Sequence, residues 1–102
     1  MIVHIVLMRL RDDLTEEERR EFEAAAASLA DVSGVEDMTW GPDFSGRGKG
    51  FTHAAVIHLT DRDALATYQR DELHRNVVAI FDRLLREKLV IDYETGRSGI
   101  SG

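Results

Sequence analysis

"IVHIVLMRL", residues 2–10, is the stretch whose reading decides the fold. Its apolar, β-branched composition reads as a strand. Two-residue alternation places Ile2, His4, Val6 and Met8 on one side and Val3, Ile5 and Leu7 on the other. Both sides are apolar, so the strand needs a packed layer on each face. One layer comes from the segments that follow. "LTEEE" starts a helix, with Thr15 as N-cap, Glu18 at the reciprocal capping-box position, and Glu16 and Glu17 in the favourable field of the first turn. Phe22, Ala25, Ala26 and Leu29 then recur at i, i+3, i+4 and i+7, a narrow buried stripe containing small residues.

Beyond Gly34, Val35–Gly41 forms a second strand of weak pattern. "PDFSGRGKG" (42–50) holds the one proline of the chain and three glycines, and reads as a mobile loop that gates access to a pocket. Phe51–Leu59 alternates as a third strand, a helical region covers 61–87, and Lys88–Glu94 closes the sheet. The order βαββαβ predicts an α+β, ferredoxin-like domain over residues 1–95, with a four-stranded antiparallel sheet and both helices on one face. Residues 96–102 read as a flexible polar tail. Nothing apolar remains to cover Val3, Ile5 and Leu7. A second copy of the chain is the economical cover, which makes a homodimer the expected assembly; the tail or the 42–50 loop folding over is the alternative.

Charge narrows the partners. Thirteen basic against nineteen acidic residues give a net charge of -6, which leaves no basic face for nucleic acid or an anionic membrane surface. No run approaches the roughly 18 apolar residues of a membrane span, and the first residues lack a signal-peptide pattern. With no cysteine in the chain, disulfides and thiol chemistry are excluded, and a cytoplasmic location is expected. The acidic runs "RDD" and "EEE" read as solvated surface.

Candidate chemistry rests on histidines and one tyrosine. His4 and His53 share strand faces with apolar neighbours, and His74 heads a helical stripe continued by Val78, Phe81 and Leu85. Taken singly, each histidine is an ordinary core or surface residue; three directed at one core make a candidate pocket. Tyr68 and His74 are six residues apart. On an unbroken helix that is about 600°, leaving the two side chains roughly 120° apart. They share a pocket only if Asp71 caps a new helix. His74 then lies in a first turn, where the dipole favours the neutral ring. His4, His53 and His74 could in principle ligate zinc, but no spacing requires it, and the expectation is no metal. A hard cation on the main-chain carbonyls at Ala30 to Val35 stays open.

"VHIVLMRLRDDLTEEE", "VEDMTWGPDFSGRGKGFTHAAVIHLTDRDALATYQRDELH" and "LVIDYE" together resemble the stress-responsive dimeric α+β barrel (Dabb) family across about 90 residues. The likeness rests on His4, Trp40-Gly41, Thr52-His53, Tyr68, His74 and Asp92-Tyr93. It implies ferredoxin-like protomers whose sheets pair into a dimeric barrel. It also implies an internal pocket for a small, largely apolar or keto ligand, bounded by His4, His53, Phe22, Ala26, Trp40 and Phe81. One plant member of the family is a cofactor-independent polyketide cyclase that performs an intramolecular aldol condensation. Its catalytic histidine falls on His74 and its supporting tyrosine on Tyr68, which implies no cofactor. Two positions depart from that pattern: Ala26 stands where the cyclase has a second pocket tyrosine, widening the pocket, and Asp71-Glu72 replaces a frequent His-Pro. Two functions stay open, a binding domain with no assigned reaction and a cyclase-like enzyme.

Overall fold

The computed structural model describes residues 1–95; the tail expected at 96–102 lies outside the described residues. In chain order the elements are β1 (Ile2–Leu10), α1 (Glu16–Ser28), a 3-10 turn (Leu29–Asp31), β2 (Val35–Pro42), β3 (His53–Leu59), α2 (Arg62–Arg70), α3 (Glu72–Leu84) and β4 (Leu85–Glu94). The sheet order is β2-β3-β1-β4, every neighbouring pair antiparallel. This is the ferredoxin-like α+β architecture read from the sequence.

The central strand sorts its side chains as its alternation requires. Ile2, His4, Val6, Met8 and Leu10 are buried with Ala55, Ile57 and Leu59 of β3, Phe22, Ala25 and Ala26 of α1, and Val77, Phe81 and Leu84 of α3. α1 begins where the capping box placed it: the Thr15 side chain accepts from the Glu18 N–H and the Glu18 side chain accepts from the Thr15 N–H. Between the 3-10 turn and β2 stands Gly34, whose φ of +94° suits glycine and whose site places an added Cβ 2.8 Å from the Ala64 carbonyl oxygen.

On β4 the pattern is inverted. Leu89, Ile91 and Tyr93 pair with Leu7, Ile5 and Val3, so they share the sheet face that the helices leave open, and they are 44%, 48% and 50% exposed. The helix-facing positions of the same strand carry Lys88, Asp92 and Glu94, opposite Met8, His4 and Ile2. Val56 of β3, opposite Ile5, continues the open apolar patch. An edge strand that turns apolar residues away from its own core is built to meet another layer.

Boundaries differ from the sequence reading at the helix junction, the α3–β4 joint and the start of β3, and β2 runs one residue further, to Pro42. The helical region at 61–87 is two helices, because Asp71 leaves the helix with ψ of 137° and its side chain caps the next one by accepting from the Leu73 N–H at 2.8 Å. α3 stops at Leu84, and Leu85, expected on the helical stripe, is extended and pairs with Leu10. A register shift beside Arg9 absorbs one residue of β4 there, and the strand starts three residues before Lys88. β3 starts at His53, because the main chain of Phe51 and Thr52 is used elsewhere: the Phe51 N–H donates to the Gly48 carbonyl at 3.0 Å and the Thr52 N–H to the Met8 carbonyl at 2.8 Å.

Candidate functional site

The cavity with chemistry in it lies between α2, α3 and the helix-facing side of β1 and β4. It has a volume of about 170 Å³ and is lined by His4, Val6, Leu29, Tyr68, Gln69, His74, Val77, Val78, Phe81, Lys88 and Val90. Its inner wall is aliphatic and aromatic. Tyr68 and His4 are 1% and 6% exposed, while Gln69 and Lys88 are exposed and stand at its mouth.

The break at Asp71 builds this site. With α2 ending at Arg70 and α3 beginning at Glu72, the rings of Tyr68 and His74 come to 4.3 Å between centroids, tilted by 46°. His4 meets the other side of Tyr68 edge-on, at 5.4 Å and 65°. Asp71 ties the junction to the end of α1 as well, because its second carboxylate oxygen accepts from the Ser33 N–H at 3.2 Å.

Each polar group has a defined state. The Asp92 carboxylate accepts a hydrogen bond from His4 Nδ1 in a close contact, which fixes the orientation of the ring. Burial, and secondarily the Asp92 charge, push the Tyr68 hydroxyl well above its ordinary value, so it stays protonated and able to donate. Burial lowers the His74 pKa from 6.5, the Gln69 main chain opposes this, and the His4 ring and the Lys88 ammonium add to the lowering. His74 Nδ1 is buried without a hydrogen-bond partner among the described residues. A neutral imidazole with an unpaired ring nitrogen beside a protonated phenol is a base-donor pair in an apolar chamber.

His53 does not join this group. It faces the same side of the sheet, but opposite Met8, whereas His4 lies opposite Ile57. Four residues of strand separate the two positions, about 13 Å. His53 packs edge-on against Phe22 at 4.9 Å and stacks at 6.4 Å on Trp40, and its Nδ1 is 2.9 Å from the Thr52 hydroxyl. Burial lowers its pKa, with Arg19 adding and Glu23 opposing. The three-histidine ligand set therefore does not assemble, and among the described residues no group of three or more His, Asp or Glu side chains is placed to hold a metal.

Of the expected apolar wall, Phe81 lines the cavity, while Phe22, Ala26 and Trp40 do not. Phe22 stands behind Phe81 at 5.5 Å and joins it to the Trp40–His53 cluster. Ala26 is fully buried and opens no space into the cavity. None of residues 43–50 contributes to the lining, so the gate expected there does not stand at this mouth. The loop is instead internally bonded, with Asp43 accepting from the Ser45 N–H at 3.0 Å and the Ser45 hydroxyl at 2.7 Å.

Asp92, Gln69 and Lys88 were not singled out by sequence reasoning as site residues. Their signal was present in β4: once Leu89, Ile91 and Tyr93 are assigned to one face, Lys88 and Asp92 fall on the other.

Comparison with known proteins agrees with this architecture. The family described as the stress responsive A/B barrel domain matches residues 2–95. Olivetolic acid cyclase of Cannabis sativa is 21% identical over 95 residues, covering 90% of this chain and 94% of the cyclase. A dimeric ferredoxin-like protein from Thermobifida fusca superposes with a TM-score of 0.78 at 25% identity, over 90% of this chain and 88% of that one. The hydroxynitrile lyase of Passiflora edulis superposes with a TM-score of 0.81 at 20% identity, over 90% of each chain. With its four antiparallel strands and three α-helices, its open apolar sheet face and a family match spanning nearly its whole length, the chain belongs to the stress responsive A/B barrel domain family.

Proposed function

We propose that this protein is a homodimer, paired through the open sheet face, whose protomers each bind a small, largely apolar carbonyl compound and move a proton on it. The observation that carries the reading is the unpartnered, buried Nδ1 of His74, beside the Tyr68 ring at 4.3 Å. An orphaned ring nitrogen costs about 1–3 kcal/mol unless something pairs with it. A ligand C–H or O–H in the cavity supplies that partner.

In this reading the neutral His74 ring takes a proton from the carbon next to the ligand carbonyl. The electron pair of that C–H bond moves onto the carbonyl oxygen, and the Tyr68 O–H stabilises the resulting enolate by hydrogen bonding. His74 then returns the proton to an oxygen or carbon of the product. His4, held by Asp92, fixes the Tyr68 ring from the opposite side. A cavity near 170 Å³ is close to the roughly 150 Å³ that takes up one benzene, so the buried part of the ligand is about one six-membered ring. Cyclase-like closure of a linear poly-β-keto chain is the form of this chemistry that the Cannabis sativa relative suggests.

A second reading keeps the dimer and the ligand but assigns no reaction. The close His4–Asp92 contact favours it, since a buried histidine paired with a carboxylate also serves as a structural unit. His74→Ala and Tyr68→Phe separate the two. If His74 is the base, His74→Ala melts close to wild type while turnover on a panel of linear poly-β-keto compounds falls about 100-fold or more. If the cluster is structural, both variants lose about 1–3 kcal/mol of stability, and the wild-type protein turns over nothing in the panel.

A further inference from the structure

Lys88 is out of place by the rules that built the rest of the cavity. It lies on the helix-facing side of β4, opposite the fully buried Met8, and it contributes to the lining between aliphatic neighbours. Among the lining residues it is the one Lys or Arg, and no Asp or Glu accompanies it. Its charge reaches the reacting group, since the ammonium disfavours protonation of His74. Among the described residues it forms no ion pair, which it shares with Arg9, Arg19, Arg47, Lys49, Arg70 and Arg75; what sets it apart is its place in the cavity lining. Charged residues on an edge strand commonly prevent unwanted pairing, but Arg86 and Glu87 already supply charge on this strand.

We infer that Lys88 selects an anionic ligand, and that the compound taken into the cavity is a small apolar molecule bearing a carboxylate at the end that faces the mouth. This deepens the proposed function and rests on its reading that the His4–Tyr68–His74 cavity is the ligand site. The apolar body of the ligand fills the space between Val6, Val77, Phe81 and Val90, and the carboxylate meets the Lys88 ammonium, with the Gln69 amide beside it as a further donor. A protein of net charge -6 repels anions in general. One cation in the lining, with the nearby Asp92 carboxylate already paired to His4, therefore discriminates by position. Binding also feeds back on the chemistry: a carboxylate paired with Lys88 cancels part of the charge that lowers the His74 pKa, which makes His74 a stronger base when the correct ligand is present.

The test is calorimetric titration of the full chain with phenylacetate and with phenylacetamide, a matched pair that differs in charge, at low ionic strength. Wild-type protein is expected to bind the acid about fivefold to tenfold more tightly than the amide, the scale of one partly desolvated ion pair. In Lys88→Met the acid-to-amide ratio falls to about one, in Lys88→Arg it is retained, and in Lys88→Glu it inverts. A ratio near one in the wild type, or a preference for the acid that survives Lys88→Met, overturns the role of Lys88. The amide arm tests the underlying reading separately. Its binding is expected to disappear in Val78→Trp, which fills the chamber. If neither compound binds at millimolar concentration, or if amide binding survives Val78→Trp, the cavity is not the ligand site and this inference falls with it.

Discussion

At the scale of single residues the site is a short chain of contacts, Asp92 to His4 to Tyr68 to His74. Asp92→Asn keeps the shape but removes the acceptor charge that holds the proton on His4 Nδ1. The expected result is a change of His4 tautomer visible in its ring nitrogen shifts, with turnover falling roughly tenfold or more and the fold intact. The titration of His74 gives an independent check. Burial lowers its pKa in the folded state from 6.5, so below that pH the unfolded chain binds more protons than the folded one. Stability is therefore present above about pH 6.5 and is lost as pH falls from there through the folded value of His74. His53 is lowered for the same first reason and adds to the slope, so the comparison is with a variant. His74→Gln should flatten the acid limb of a stability-against-pH curve between pH 7 and 5 without abolishing it. An unchanged limb would mean that His74 is not buried as described.

At the scale of elements the deciding feature is the one-residue interruption between α2 and α3. The angular argument made a shared Tyr68–His74 pocket conditional on a break at Asp71, and the break is there because the carboxylate caps α3 and holds Ser33 at once. Asp71→Ala should lower the melting temperature through the lost cap. Ligand affinity should fall by more than that loss of stability explains, because the junction that apposes the two rings is loosened. A thermal melt beside a titration measures both. The same scale shows what the sequence made legible. β1 and the α1 capping box are written in local patterns, and both stand where those patterns put them. The end of α3 was hidden because Leu85 fits the helical stripe and the strand pairing with Leu10 equally well, and only the partner strand decides. His53 was grouped with His4 because alternation reports which face a residue occupies and says nothing about its distance along the strand. Lys88 was passed over, and Asp92 entered only through the family resemblance, because β4 turns Leu89, Ile91 and Tyr93 away from its own helices.

At the scale of the whole molecule, the open sheet face and the cavity are two sides of one sheet. Ile5, Leu7, Val56, Leu89, Ile91 and Tyr93, beside Val3, which is already buried within the chain, form a patch with no helix over it, and a second copy related by symmetry would cover it with the same residues. Ile5→Lys places an ammonium in the centre of that patch. Light scattering at micromolar concentration should give twice the chain mass for wild type, and monomeric or unfolded protein for the variant. A monomer mass for wild type would remove the homodimer from the account. β1 carries Ile5 on the proposed dimer face and His4 on the cavity face, so loss of a partner there is expected to loosen the site as well.

The central claim is that the cavity moves a proton on a carbonyl compound, and hydrogen exchange tests it without knowledge of the natural reaction. Small aryl ketones and aryl keto acids incubated with the protein in deuterium oxide, and followed by proton NMR, should lose their signal next to the carbonyl faster than in buffer. The excess rate should fall about 100-fold in His74→Ala and should persist to lower pH than for a free imidazole base, because burial lowers the His74 pKa. Compounds that bind in the cavity yet exchange no faster than in buffer, or that exchange equally fast with His74→Ala, would contradict the claim and leave a dimeric binding domain.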